Sequence, residues 1–330
     1  MRPGAGDPAR PTAGQVREAA GRLAPHLAAT PLRRFPALSE SLDADVYLKL
    51  ENRQPTGSFK IRGALNALLP EAGGPGPVVA ASAGNHAFAL AHAARLVGRE
   101  AVLFVPSDAP AAKIAGVREA GGEVRLIDGG YDDAEDAATR WAASEPAADL
   151  IHAFDDARVV AGQGTLGLEI LEQLPGVRAI VAPVGGGGLL AGLLTACDGR
   201  GVDVVGAQGD RTRAMHDALR AGDLVETPVV PTLLDGLAGR TTRRALDRLL
   251  TREARVELVP EAATAEAMRR LHALGIRAEG SGAVALAALA TGAVRTADPV
   301  VVIVSGGNID DEALAAVLAG ERPPLPGTGD

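Results

Sequence analysis

Short apolar runs alternate with longer stretches in which apolar residues recur every three or four positions. The runs at 45–50 (DVYLKL), 77–81 (PVVAA), 101–105 (AVLFV), 123–127 (EVRLI), 178–183 (RAIVAP), 202–207 (VDVVGA) and 299–304 (PVVIVS) predict strands. The stretches 58–69, 85–97, 110–120, 132–144, 160–173, 187–197, 261–274, 281–290 and 311–318 predict helices. Such alternation predicts βαβ units, hence an α/β fold whose mostly parallel sheets are covered by helices. The pattern suggests two half-domains, although no shift in composition marks a linker. Several predicted strands run directly into Gly, Ser or Asn. Ligands of open α/β sheets gather at the carboxyl ends of strands, so those turns are the first candidates for a site. The ends, 1–12 and 322–330, are rich in Pro, Gly and charge and are expected to be mobile.

Composition narrows the function. A net charge of -8, with arginines scattered rather than run together, argues against a nucleic-acid or anionic-membrane binder. A single cysteine, Cys197, excludes an intrachain disulfide framework and a cysteine-rich metal site. No apolar signal segment opens the chain, and a cytoplasmic location is expected. The uncharged stretch 179–197 is long enough to suggest a membrane span, but Pro183 and four consecutive glycines would break it at mid-length. Of 33 basic residues only Lys49, Lys60 and Lys113 are lysines, so each lysine stands out against an arginine-rich background.

Three segments carry candidate chemistry. In the first, Pro55 and Gly57 form a turn and Ser58 is an N-cap candidate, which puts Lys60 in the first turn of a helix. The helix dipole disfavours a cation there, so Lys60 is either a solvated lysine or an amine tuned to attack carbonyls. In the second, Gly185 to Gly188 follow a strand and open a helix, an arrangement that converges backbone N–H groups on a phosphate. Leu189 stands where a P-loop lysine would follow, and the order is not that of a dinucleotide fingerprint; a packing turn is the alternative. In the third, Ser82, Ala83, Gly84, Asn85 and His86 link a strand to a helix and could hold a carboxylate, while Ser305-Gly306-Gly307-Asn308 closes the last strand.

Taken together and in this order, TGSFKIRG, SAGNHA, the tetraglycine loop and SGGN resemble the fold-type II pyridoxal phosphate enzymes, whose fold is that of the tryptophan synthase β chain. The sequence is most similar to the serine/threonine dehydratase (ammonia-lyase) branch, which includes serine racemase. Further matching stretches are Thr30-Pro31-Leu32, YLKLEN, AGQGTLGLEI, DGLAG and EGSGA, and the likeness spans roughly 28–320. The resemblance implies two open, twisted, mostly parallel sheets with flanking helices. It implies a discontinuous large cofactor domain, 1–72 and 155–330, and a small mobile domain, 73–154, that carries the substrate loop. Lys60 would be the Schiff-base lysine and Phe59 would pack beside the ring. Asn85 would bond the phenolic oxygen, and Gly185, Gly186, Gly187, Gly188 and Leu189 would cradle the phosphate. Ser305 would meet the pyridine nitrogen. Ser82 to His86 would bind the substrate carboxylate, with Gly236 bordering the substrate side.

The implied reaction removes the β-hydroxyl of L-threonine or L-serine to give a 2-oxo acid and ammonia. Alternatives are a threo-3-hydroxyaspartate or other β-hydroxy amino acid ammonia-lyase, a serine racemase, a β-replacement synthase, or a non-catalytic relative. Serine racemases carry a serine at the position of Ala83, so elimination is favoured here. Gln208 and Ala214 replace the carboxylates of the racemase-like cation site, and no such metal site is expected. Arg240, in a basic segment after DGLAG, is either a solvated helix-start residue or a pocket group suited to an acidic side chain. A homodimer is expected, with no nucleic acid or membrane partner.

Overall fold

The computed structural model describes residues 10–71, 74–228, 230–321, 323 and 325. The expected mobile ends therefore lie outside the described residues, except for 10–12, 323 and 325. Among the described residues, ten strands form two sheets. They are β1 (Leu32–Arg34), β2 (Val46–Leu50), β3 (Val78–Ala81), β4 (Ala101–Pro106), β5 (Gly122–Ile127), β6 (Asp149–Leu150), β7 (Ala179–Pro183), β8 (Asp203–Gly209), β9 (Arg255–Val259) and β10 (Val300–Val304). The helices are α1 (Ala13–Leu23), α2 (Pro36–Leu42), α3 (Lys60–Leu68), α4 (Asn85–Leu96), α5 (Ala111–Glu119), α6 (Tyr131–Ser144) and α7 (Ala157–Gln173), followed by α8 (Gly188–Ala196), α9 (Ala214–Ala221), α10 (Arg243–Leu250), α11 (Glu261–Ala273), α12 (Gly280–Ala290) and α13 (Asp311–Ala319).

The six-stranded sheet has the order β1-β2-β10-β7-β8-β9 and is parallel except for β1. The four-stranded sheet, β5-β4-β3-β6, is wholly parallel. The apolar runs bury both faces. Along β10, Val300, Val302 and Val304 pack with α11, α12 and α13, while Val301 and Ile303 pack with α7, α8 and α10. In the smaller sheet Val78 and Ala80 face α3 and α4, and Val79 and Ala81 face α6. Each fully buried Val or Ile contributes roughly 1.5–3 kcal/mol, which is why these runs are uninterrupted.

Every predicted strand and helix is present, with ends displaced by at most three residues. The segment around Lys60 is corrected. The helix begins at Lys60 rather than 58, and its N-cap is Phe59, whose backbone is already helical. Ser58 does not cap it. Ser58 pairs with Gly306 in an antiparallel bridge, and its hydroxyl is buried without a hydrogen-bond partner.

Behind β2 lies a buried charge network assembled from four of the matching stretches. The Arg62 guanidinium grips Glu51 in a fork, Nε to Oε2 at 2.7 Å and Nη2 to Oε1 at 2.8 Å, and Nη2 also reaches Glu169 at 2.8 Å. Lys49, with no exposed surface, donates to Glu169, to Thr30 O at 2.7 Å and to Gln173 at 2.7 Å. Thr30 Oγ1 closes the ring onto Glu51 at 2.5 Å. This network gives Lys49 the ion-pair role that its sequence left unexplained, and it pins the start of α3 to β2 and α7.

Candidate active site

Three adjacent strands of the larger sheet deliver the key groups at their carboxyl ends. β2 leads to Lys60, β10 to Ser305, and β7 to the tetraglycine loop. The neighbouring register is locked where Phe59 N donates to Ser305 O at 3.0 Å. The smaller sheet contributes the 82–86 turn after β3. All the residues named from the sequence, Phe59, Lys60, Ser82, Ala83, Gly84, Asn85, His86, Gly185 to Gly188, Leu189, Gly236 and Ser305, border one cavity of about 800 Å³.

Burial pushes the Lys60 amine down to about 8, with Glu279 pulling the other way. The amine donates to Ala153 O at 3.2 Å. The lowered value agrees with the sequence reading, but desolvation is the main cause. Opposite it, Gly187 has φ +91° and caps α8, so the loop turns in a left-handed conformation that aims the helix start at the cavity. A Cβ on Gly186 would stand 2.3 Å from the Phe154 ring. That position therefore has room only for glycine.

In the 82–86 turn, Gly84 N donates to Ser82 Oγ at 3.1 Å. Asn85 opens α4; its Nδ2 donates to Glu279 Oε1 at 2.7 Å, and its Oδ1 accepts from Asn308 Nδ2 at 2.6 Å. His86 is buried and its Nε2 donates to Ile151 O at 3.0 Å. Burial, reinforced by Lys60, pushes its ring down to about 3, so it is neutral. The Ser305 hydroxyl donates to Ser281 O at 3.3 Å.

Sequence reasoning missed several neighbours. Glu279 is buried, and burial together with Asp235 pushes its carboxyl up to about 7. Its only signal was its place at the head of EGSGA. Lys113, on α5, forms an ion pair with Asp235 at the cavity's edge, across 122 positions of sequence. Phe154 and Tyr131 also border the cavity, and nothing in their local sequence announced it. Arg240 does reach the cavity, but its guanidinium faces Glu135 at 2.9 Å, Asp136 at 3.4 Å and Asp132 at 3.4 Å. Its charge is already answered. Gln208, at the place of the racemase-branch carboxylate, accepts from His216 N at 2.9 Å, and Ala214 starts α9.

A tuned amine facing a glycine-lined helix start, at the point where strand order reverses, defines an α/β enzyme for a phosphorylated, carbonyl-bearing group. The comparisons name the family. Residues 23–306 match the model for pyridoxal-phosphate dependent enzymes. The chain is 39% identical over 313 residues to an L-threonine ammonia-lyase of Geobacter sulfurreducens, covering 92% of this chain and 77% of that one. It is 36% identical over 320 residues to a catabolic L-threonine dehydratase of Staphylococcus aureus, covering 92% and 91%. Among solved structures, maize serine racemase superposes with a TM-score of 0.87 at 30% identity, covering 94% and 98% of the two chains. A threonine deaminase from T.th. gives 0.84 at 36% identity, covering 91% and 99%. The chain belongs to the pyridoxal-phosphate dependent enzyme family.

Proposed function

We propose that this chain is a pyridoxal-phosphate dependent ammonia-lyase acting on L-threonine and L-serine, with the small unit 73–154 closing over substrate held by the large unit 1–72 and 155–330. The observation that carries the reading is the convergence of Lys60, Ser305 and the tetraglycine loop at three neighbouring strand ends, with the 82–86 turn facing them.

The residues fit the cofactor. The α8 start and Gly185 to Leu189 offer backbone donors to a phosphate, with no room for side chains at Gly186. The Ser281 hydroxyl, buried at the cavity wall without a hydrogen-bond partner, leaves a polar atom to be answered there. Phe59 offers a flat apolar neighbour, and Asn85 keeps one amide hydrogen beyond the one given to Glu279. When bound, pyridoxal phosphate supplies the electron sink that makes the α-proton of an amino acid labile.

The chain's own groups do the rest. Ser82 to His86 bind the substrate carboxylate through short side chains and backbone N–H groups. Lys60, lowered to about 8, presents far more free amine than an ordinary lysine, reaching about half in mildly basic solution, and takes the α-proton. Ser305 would offer the ring nitrogen a neutral hydroxyl, which, unlike a carboxylate, would not hold a proton there. With Lys60 as the base and no carboxylate at the Ser305 position, these residues would favour loss of the β-hydroxyl over return of a proton to the α-carbon. Ala83 puts no acid on the opposite face, which supports elimination over racemisation. The guanidinium of Arg240, already occupied, offers no spare charge to an acidic substrate side chain, which supports neutral β-hydroxy amino acids over hydroxyaspartate. A cytoplasmic homodimer is part of the same reading, and sedimentation tests its stoichiometry.

Incubation with L-threonine and L-serine is expected to yield 2-oxobutyrate and pyruvate with ammonia, and Lys60→Ala to abolish both the yield and the bound-cofactor absorbance. Exclusive recovery of D-serine, or full activity in Lys60→Ala, overturns the assignment.

A further inference from the structure

Between β6 and α7, each of the residues 151–155 touches a different element on or beside the site. Ile151 O accepts from His86 at 3.0 Å. His152 Nε2 meets Glu135 Oε1 at 2.8 Å. Ala153 O accepts from Lys60 Nζ at 3.2 Å. Phe154 covers Gly186 and Gly188 of the glycine loop. Asp155 pairs with Arg248 on α10 at 2.6 Å.

The orientation of His152 follows from its bonds. Its Nδ1 faces the backbone N–H groups of Phe154 at 3.3 Å and Asp155 at 3.1 Å, so it must supply a lone pair. The ring proton is then on Nε2, which donates to the Glu135 carboxylate. Glu135, on α6, is held from its other side by Arg240 at 2.9 Å. The His152 ring meets Phe154 edge-on at 4.5 Å between centroids. A continuous series of contacts thus runs from Arg240 through Glu135 and His152 to the carbonyl that receives the Lys60 amine and to the ring that backs the glycine loop.

We propose that Glu135 and His152 are positioning residues for Lys60. By anchoring the 151–155 crossover to α6, they fix the Ala153 carbonyl as the resting place of the free Lys60 amine and fix Phe154 against the glycine loop. The kinetic part rests on the ammonia-lyase reading; the spectroscopic part needs only a bound cofactor.

The test uses holoenzyme carrying Glu135→Ala, Glu135→Gln, His152→Asn, the double change Glu135→Ala/His152→Asn, and Asp136→Ala. Asparagine at 152 keeps an acceptor for the two backbone N–H groups but is too short to reach Glu135. Glutamine at 135 keeps an acceptor for His152. Asp136 meets Arg240 without touching His152. Glu135→Ala and His152→Asn are each expected to lower kcat about tenfold or more, since an ångström of misplacement costs on the order of 100-fold, with KM changed by less than about threefold. Both are expected to lose visible-range circular dichroism of the bound cofactor. The double variant is expected to fall no further than either single one, and Glu135→Gln and Asp136→Ala to stay near the parent in both readouts. Multiplying losses in the double variant, or an Asp136→Ala defect equal to that of Glu135→Ala, overturns the proposal. So does an unchanged dichroism in Glu135→Ala. If the parent turns over no amino acid, the ammonia-lyase reading fails, while the dichroism comparison still decides this one.

Discussion

Replacing Arg62 with methionine strikes the buried network two residues from Lys60. Arg62 is 3% exposed and Glu51 0%, so neither charge has water to fall back on. The change removes three charge-assisted hydrogen bonds of 2.7–2.8 Å and leaves Glu51 and Glu169 sharing Lys49 alone. Breaking a buried pair by removing one partner costs about 3–5 kcal/mol. With an unfolding entropy of about 2.1 cal/mol/K per residue over 330 residues, that lowers Tm by about 4–7 °C. The assay is thermal unfolding of the holoenzyme followed by far-ultraviolet circular dichroism at pH 7 and again in acid. Arg62 holds the Glu51 carboxyl below its ordinary value of 4.5 against the opposing effect of burial. Its contribution is therefore complete above 4.5 and is lost as pH falls through the lower folded-state value, so the gap between parent and variant narrows in acid. Replacing Glu51 with methionine as well removes an uncompensated charge, and the double variant is expected to be more stable than Arg62→Met alone. A Tm change under about 1 °C, or a double variant less stable than the single one, refutes the reasoning.

Three further outcomes are expected. Gly186→Ala forces a methyl to within 2.3 Å of the Phe154 ring, and cofactor affinity, read by absorbance after dialysis, falls about tenfold or more; undiminished retention counts against the phosphate assignment. Glu279→Gln removes the carboxylate that raises the Lys60 amine, so the amine drops further below 8 and the rising limb of the pH–kcat profile moves to lower pH; a limb displaced upward sinks the argument. Ala83→Ser introduces a hydroxyl on the open side of the cavity and is expected to raise the D-serine to pyruvate ratio; an unchanged ratio removes the second-face explanation.

Most strands were legible because those inside the sheets are buried on both faces and so are rich in consecutive apolar residues. β1, β6 and β9 were not, since three and two residues carry no period and the edge strand β9 mixes Arg255 and Glu257 among its apolar residues. α1 buries only Val16, Ala19 and Leu23, and its alanine-rich remainder blurs the contrast, although the Thr12–Gln15 capping box was there to be read. α10 was hidden differently. Its arginines suggested a solvated segment, yet Thr242 caps it through Ala245 N and Arg248 is buried against Asp155. Within the site, Lys60, the glycines and Asn85 were legible because backbone chemistry constrains them locally. The Glu135–His152 pair was not, because it joins α6 to the segment after β6 within the smaller unit, and the Lys113–Asp235 pair was not, because it joins α5 to the larger unit.

The placing of the three lysines has a practical consequence for anyone handling the protein. Lys49 is sealed in the core, Lys113 is paired at the cavity's edge, and Lys60 lies inside it. Apart from the α-amino group, a reagent directed at primary amines finds no fully exposed lysine. Amine-reactive dyes are thereby left with the α-amino group and the partly exposed Lys113 on the outside, and acylation of Lys60 itself becomes a footprint of cavity occupancy. Thiol coupling is no substitute, because Cys197 is buried.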